Sequence, residues 1–219
     1  MKKTKEILTL LAALALQFLV MMGIVAFQND AMMPLPLLAR AVLMIAVQWC
    51  LLIVPVVFMG AKKESLADYG FSSKSVLKQI AVGVKIACAM SLVLTALPIL
   101  LGLGHMVGST NYTRPWQFAY QFVYMTAGVA LAEEFFYRGF LFKRLLDIKN
   151  TRWFAIILSS LIFGMSHIFS GGIFQVIGTS FIGLVFCLCR EKIKGCTTLS
   201  LIFAHGLHNS LITLLVFIL

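Results

Sequence analysis

Charge is what this sequence has least of. Only 12% of its 219 residues are charged, against about 25% in an average soluble domain. Acidic residues are the scarcest, eight against 18 Lys and Arg. Hydrophobic residues reach 61%, more than a protein interior of this size absorbs. A soluble globular enzyme is thereby excluded, and the expected solvent is lipid. No long polar stretch exists either. The longest polar connection, residues 60–78, is too short to bury a core, so the net charge of +10 has no domain with which to bind nucleic acid. The five cysteines are an odd number and carry no metal-type spacing, because Cys187 and Cys189 form C-x-C without a second pair. They read as small apolar fillers with reduced thiols, with palmitoylation of Cys189 or Cys196 as the alternative. Internal repeats and low-complexity stretches are not apparent.

What is there is a series of apolar runs near the length of about 20 residues that a helix needs to cross hydrocarbon. The spacing predicts an all-α polytopic transmembrane helix bundle of about seven spans, near 7–27, 37–59, 79–103, 117–142, 153–169, 173–189 and 197–219. The fifth and sixth are joined only by Ser170, Gly171 and Gly172. Fourteen of the 18 basic residues fall on one side of this scheme, from Lys2, Lys3 and Lys5 through Arg190, Lys192 and Lys194. The positive-inside rule places that side, and the N-terminus, in the cytoplasm. The first run is too long for a cleaved signal and reads as an uncleaved anchor. Residues 64–75, ESLADYGFSSKS, suggest a short amphipathic helix ended by Gly70, with Ser72 or Ser73 free to cap the next.

Ionisable groups inside spans are costly and face a bundle interior or a watery cavity. Here they are Lys85, Glu133, Glu134, Arg138, His167, His205 and His208, with Asn209 beside them. Lys85 falls near the cytoplasmic edge and can snorkel, and His105 lies in an outer loop. At about 1.5 Å per residue, Glu133, His167, His205 and Asn209 all fall about 15–21 Å from that edge. Glu134 and Arg138 stand i, i+4 with the acid first, the orientation of a favourable helical ion pair, which leaves Glu133 to face elsewhere. Phe163 with His167, and His205 with Asn209, share helix faces at the same spacing. A lone intramembrane His is usually a hydrogen-bonding group between helices, and a lone Glu–Arg pair a structural lock. The whole set at one depth on three helices points to chemistry.

EEFFYR, FGMSH and HGLHN, as E-E-x-x-x-R, F-x-x-x-H and H-x-x-x-N, resemble the three motifs of the CPBP family. These are the CAAX-protease and bacteriocin-processing (Abi) intramembrane proteases, which include the type II CAAX prenyl endopeptidases. LADYGF adds a weaker likeness. The resemblance spans 115–219 as a catalytic helical core, with 1–114 supplying N-terminal transmembrane helices and the cytoplasmic loop. It implies an intramembrane endopeptidase in a multi-pass cell membrane, of the bacterial plasma-membrane kind. Such an enzyme acts on a membrane-associated peptide or protein tail, in CAAX-type processing or in bacteriocin maturation or immunity. By motif, Glu133 is then the base that activates water, and Glu134 and Arg138 support it. His167 holds the water, while His205 and Asn209 stabilise the oxyanion. His208 occupies a variable position.

The same chemistry follows from the residues, since amide hydrolysis needs a water nucleophile, a base and oxyanion donors. No Ser or Cys is paired with a base; Ser166 points to another face than His167. Glu133, His167 and His205 could also ligate Zn2+ with a position left for water. H-E-x-x-H is absent, and a metal-free mechanism uses the same side chains. Two other classes remain: a non-enzymatic bacteriocin immunity or binding membrane protein, which has no need of Glu133, and a proton-coupled transporter. The transporter lacks the paired, broken-helix halves of inverted repeats.

Overall fold

The computed structural model describes residues 2–32 and 34–219, with backbone alone for Lys2 and residues 169–171. Seven long helical segments run in chain order: α1 Lys2–Asp30, α2 Leu37–Lys62, α3 Val76–Val107, α4 at 115–148, α5 Arg152–Met165, α6 Ile168–Lys192 and α7 Thr198–Ile218. Five of these, α1, α2, α3, α7 and α6 from Gly172 onward, are long and apolar enough to cross a membrane. The remaining two fall short for different reasons. α4 is long enough but carries Glu133, Glu134 and Arg138 together. α5 has only 14 residues, about 21 Å of helix. Large apolar side chains cover the outside, with Leu38, Leu77 and Phe174 between 78% and 85% exposed, a surface suited to lipid rather than water. The chain is a multi-pass membrane protein.

Helix ends follow local chemistry. Pro115 opens α4, where its missing N–H costs nothing, and the Gln117 side chain accepts the N–H groups of Thr113 and Arg114 at 2.8 Å. Thr197 caps α7 through the Ser200 N–H, and Arg190 and Lys192 sit in the last turn of α6, where the helix dipole favours cations. The joint between α5 and α6 differs from the sequence expectation. The regular helix stops at Met165, and His167 stands between the helices with φ −98° and ψ 6°. Gly172, with φ +66°, then bends the start of α6. The side chains of Ser170 and Gly171 lie outside the described residues.

α4 is the central element, with α1, α2, α5 and α7 packed around it, while α6 pairs with α5 and α3 with α7. Every residue from Phe135 to Leu141 is buried, in a stretch wound with wide π-type turns. Small residues set the spacing of these helices. A Cβ on Gly206 of α7 would come within 2.5 Å of Thr126 Cα on α4, and one on Gly164 of α5 within 2.6 Å of the Val176 carbonyl oxygen on α6. Close approach through small residues is how helices associate when lipid supplies no hydrophobic drive.

The 64–75 segment is also tighter than expected. Only Leu66–Tyr69 is helical, a single 3-10 turn with Ser65 Oγ donating to Asp68 at 2.8 Å, and Gly70 closes it at φ +80°. Neither Ser72 nor Ser73 caps α3, whose N-cap is Ser75; Ser72 Oγ accepts the Lys74 N–H instead. The turn clasps the bundle. Thr198 Oγ1 donates to the Tyr69 carbonyl at 2.7 Å, the Thr198 N–H donates to Gly70, and the buried Tyr69 ring stacks on Phe140. A side chain at Gly70 would strike Arg190 and Thr198.

Beside this clasp an ion network joins the ends of α1, α2 and α4. Arg144, 1% exposed, pairs with Glu64 and lies 3.5 Å from Glu6 and 3.3 Å from Asp147; Lys143 reaches Glu64 at 3.2 Å and Lys62 reaches Glu6 at 2.5 Å. Burial opposes ionisation of Glu64, but hydrogen bonds from Arg144 and Tyr69 outweigh it and bring its pKa down to about 2.

Candidate active site

Glu133 and Glu134 are adjacent on α4 and so face different directions, about 100° apart. Glu134 turns inward and is fully buried, as is Arg138 one turn on. Arg138 Nη1 donates to Glu134 Oε1 at 2.9 Å, the pairing expected from their i, i+4 spacing. The guanidinium also lies over the Phe163 ring, 4.1 Å from its centroid, and over Phe186 at 5.4 Å. Cation–π attraction of this kind strengthens as water is excluded.

The same Glu134 oxygen is 2.8 Å from His205 Nδ1 on α7. The sequence did not show this contact, because no local spacing connects α4 to α7. Glu134 thus fixes the imidazole and leaves Nε2 facing Glu133, 3.9 Å from its Oε2. Phe163 and Phe186 flank the His205 ring at 6.1 and 5.5 Å. Glu133 is 18% exposed by its side chain, and its Oε2 has no hydrogen-bond partner.

A cavity of about 170 Å³ opens beside Glu133, with His167 on its wall. His167 Nδ1 donates to the Phe163 carbonyl at 2.9 Å, and the two rings pack edge to face at 4.9 Å. The i, i+4 relation survives the end of α5 because this hydrogen bond pins the ring. His167 Nε2 remains to meet whatever enters the cavity. Tyr137 and Ser166 line it too, and Ser166 Oγ lies 3.2 Å from His167 Nδ1 rather than facing away as its place in the helix suggests; the rest of the wall comes from α1 and α2, including Gln17, Gln28 and Gln48. The sequence reading considered ionisable residues and Asn209, and so passed over these glutamines. Their signal was there: uncharged amides in apolar runs, with Gln17 and Gln28 on one helix face.

Two sequence candidates are placed differently. Asn209 Nδ2 lies 3.8 Å from Met125 Sδ and touches neither Glu133 nor His205 through a hydrogen bond. His208, 1% exposed, pairs with Ser91 Oγ on α3 at 2.9 Å, on the side of α7 away from Glu133. Glu134, Arg138 and His205 are therefore joined directly, and Glu133 and His167 share the cavity.

The residues that could ligate a metal are Glu133, His167 and His205. Both imidazoles have Nδ1 engaged and Nε2 free, the arrangement ligating histidines adopt. Yet among the described residues no three His, Cys, Asp or Glu side chains are gathered so as to hold a metal ion.

Residues 115–211, a little under half the chain, match the family model described as type II CAAX prenyl endopeptidase Rce1-like. Over these residues the chain is similar to the CAAX-protease family. All three motifs and every residue of the joined site lie inside the match, whereas α1, α2 and α3 lie outside it. No curated protein and no solved structure matches the chain. The description of that family names an endopeptidase.

Proposed function

We propose that the protein is an intramembrane endopeptidase that cleaves a membrane-associated peptide or protein tail with a water activated by Glu133. One observation carries the reading: the partly exposed carboxylate of Glu133 on the wall of a cavity, backed by a second carboxylate that Arg138 and His205 hold fixed. Glu133 takes a proton from water as the water oxygen attacks the scissile carbonyl. His167 Nε2 accepts the other hydrogen bond of that water. His205, held through Nδ1 by Glu134, serves as the oxyanion donor when its Nε2 carries a proton. Nε2–H then faces the oxygen on which negative charge develops. Asn209 adds a second donor when its amide turns from Met125. The tetrahedral adduct collapses by breaking the C–N bond, and Glu133 passes its proton to the leaving amine.

An apolar groove of about 400 Å³ adjoins the cavity and shares Gln17, Met21, Tyr137 and Ser166 with it. It suits a substrate with a bulky apolar group near the scissile bond, which favours a CAAX-type lipid-bearing tail over a polar bacteriocin precursor. The expected location is a bacterial plasma membrane.

The test is cleavage of apolar-tailed peptides by purified protein, with a Glu133→Gln variant beside it. Loss of a general base costs about 10²–10⁴-fold in rate, and the variant should melt as wild type does because the Glu134–Arg138 pair is untouched. A chelator should leave the rate unchanged; inhibition reversed by zinc would move the mechanism to a metal. Full cleavage by Glu133→Gln would refute Glu133 as the base, whereas a full cellular phenotype in Glu133→Gln would support an immunity-type binding protein.

A further inference from the structure

A groove of about 420 Å³ runs between α3 and α6 and shares no residue with the Glu133 cavity. Ala89 and Val93 of α3 and Phe181, Val185 and Cys189 of α6 form its apolar walls. Among the described residues, the one charged side chain that lines it is Lys85, at the end where α6 contributes Cys189 and Ile193. From Lys85 to Leu94, the last lining residue on α3, the groove follows about 13.5 Å of helix. That is close to one leaflet, half of a hydrocarbon core about 30 Å thick.

An ammonium group inside a span is costly unless something neutralises it. Lys85 is exposed, and among the described residues it has neither a hydrogen bond nor an ion pair. Glu191, two residues past Cys189, is turned to Arg152 of α5 and offers it no counter-charge. A lysine of this kind stretches its stem along apolar surface towards the headgroups, where the available anion is a lipid phosphate. Lys78, seven residues earlier and within about 20° of the same face, and Lys194, next to Ile193, carry the positive charge on towards that region; both are exposed. We propose that one anionic phospholipid occupies this groove, with an acyl chain along its apolar walls and the headgroup phosphate on Lys85. Basic pockets between transmembrane helices select such headgroups. Ile86 and Met90 of α3 share a core cluster with Phe186 of α6, so the acyl chain covers the lipid-facing margin of that cluster. It thereby ties α3, outside the family match, to α6 inside it. The site does not depend on Glu133.

The test titrates phosphatidylglycerol, against phosphatidylcholine of the same chains, into full-length protein in detergent, read by native mass spectrometry and by melting. Wild type should retain one phosphatidylglycerol and melt higher with it than with phosphatidylcholine, as a ligand of the folded state requires. Lys85→Gln should bind phosphatidylglycerol about fivefold more weakly, the effect of one lysine beside an anionic headgroup, and should lose the difference in melting. Ala89→Trp fills the groove at an exposed position and leaves every charge in place, and it should lose the difference too. Lys63→Gln, at an exposed lysine just past α2, is the control and should bind as wild type. Equal binding of the two lipids by wild type overturns the proposal, as does undiminished phosphatidylglycerol binding in Lys85→Gln or in Ala89→Trp. A loss in Lys63→Gln as large as that in Lys85→Gln reduces the effect to general surface attraction and overturns it as well.

Discussion

Arg138→Ala tests the centre of the site most directly. Glu134 and Arg138 are both fully buried and 2.9 Å apart, so removing the guanidinium strands a carboxylate with no water to solvate it. Breaking a buried pair from one side costs about 3–5 kcal/mol. Glu134 keeps the His205 contact at 2.8 Å, and the Phe163 and Phe186 faces lose their cation; the first favours the lower end of that range. For a chain of this size about 1 kcal/mol moves the melting temperature by about 2–4 °C, so about 3 kcal/mol predicts a fall of about 6–12 °C. The assay is a melt in detergent at one scan rate. The double variant Glu134→Leu with Arg138→Met removes both charges and should recover most of the loss, as apolar replacements of buried pairs do. It should stay inactive, because His205 Nδ1 then has no anchor. An Arg138→Ala protein that melts with wild type, or a double variant less stable than the single, refutes this account of the pair.

Two further outcomes are expected. The folded pKa of Glu64 lies below its ordinary value of 4.5, at about 2, so its ion network stabilises the fold above pH 4.5 and that contribution is lost as pH falls towards 2. The gap in melting temperature between wild type and Glu64→Gln should therefore be full at pH 7 and close over that window; a gap independent of pH refutes the role given to Arg144. The clustering of basic residues predicts residues 60–78 in the cytoplasm and Leu219 outside, which reporter fusions at both positions measure, and reversal at both overturns the orientation.

The parts of this site that are legible in sequence are those that a single helix decides. The Glu134–Arg138 pair and the Phe163–His167 stack follow from four residues of spacing, and both are present because each needs only one turn and its own rotamers. The five helices of membrane-crossing length are legible for a similar reason, since a run of apolar residues is a property of the chain alone, while two of the seven expected spans do not reach that length and apolarity. What was not legible depends on how helices rotate against one another. His205 and His208 are three apart and equally polar, yet one meets Glu134 and the other Ser91. In water the apolar face of a helix marks its buried side, but in lipid both sides are apolar and that signal disappears. The buried side of α5 and α7 is marked instead by Gly164 and Gly206, where a Cβ would collide with the neighbouring helix. Gly206 directly follows His205, so the residue that admits α4 against α7 also fixes which ring faces Glu134. A polar residue beside such a glycine is then the one to read as facing a partner. Gly23, by contrast, has no neighbouring atom near the position of a Cβ, and marks no close approach of another helix to α1.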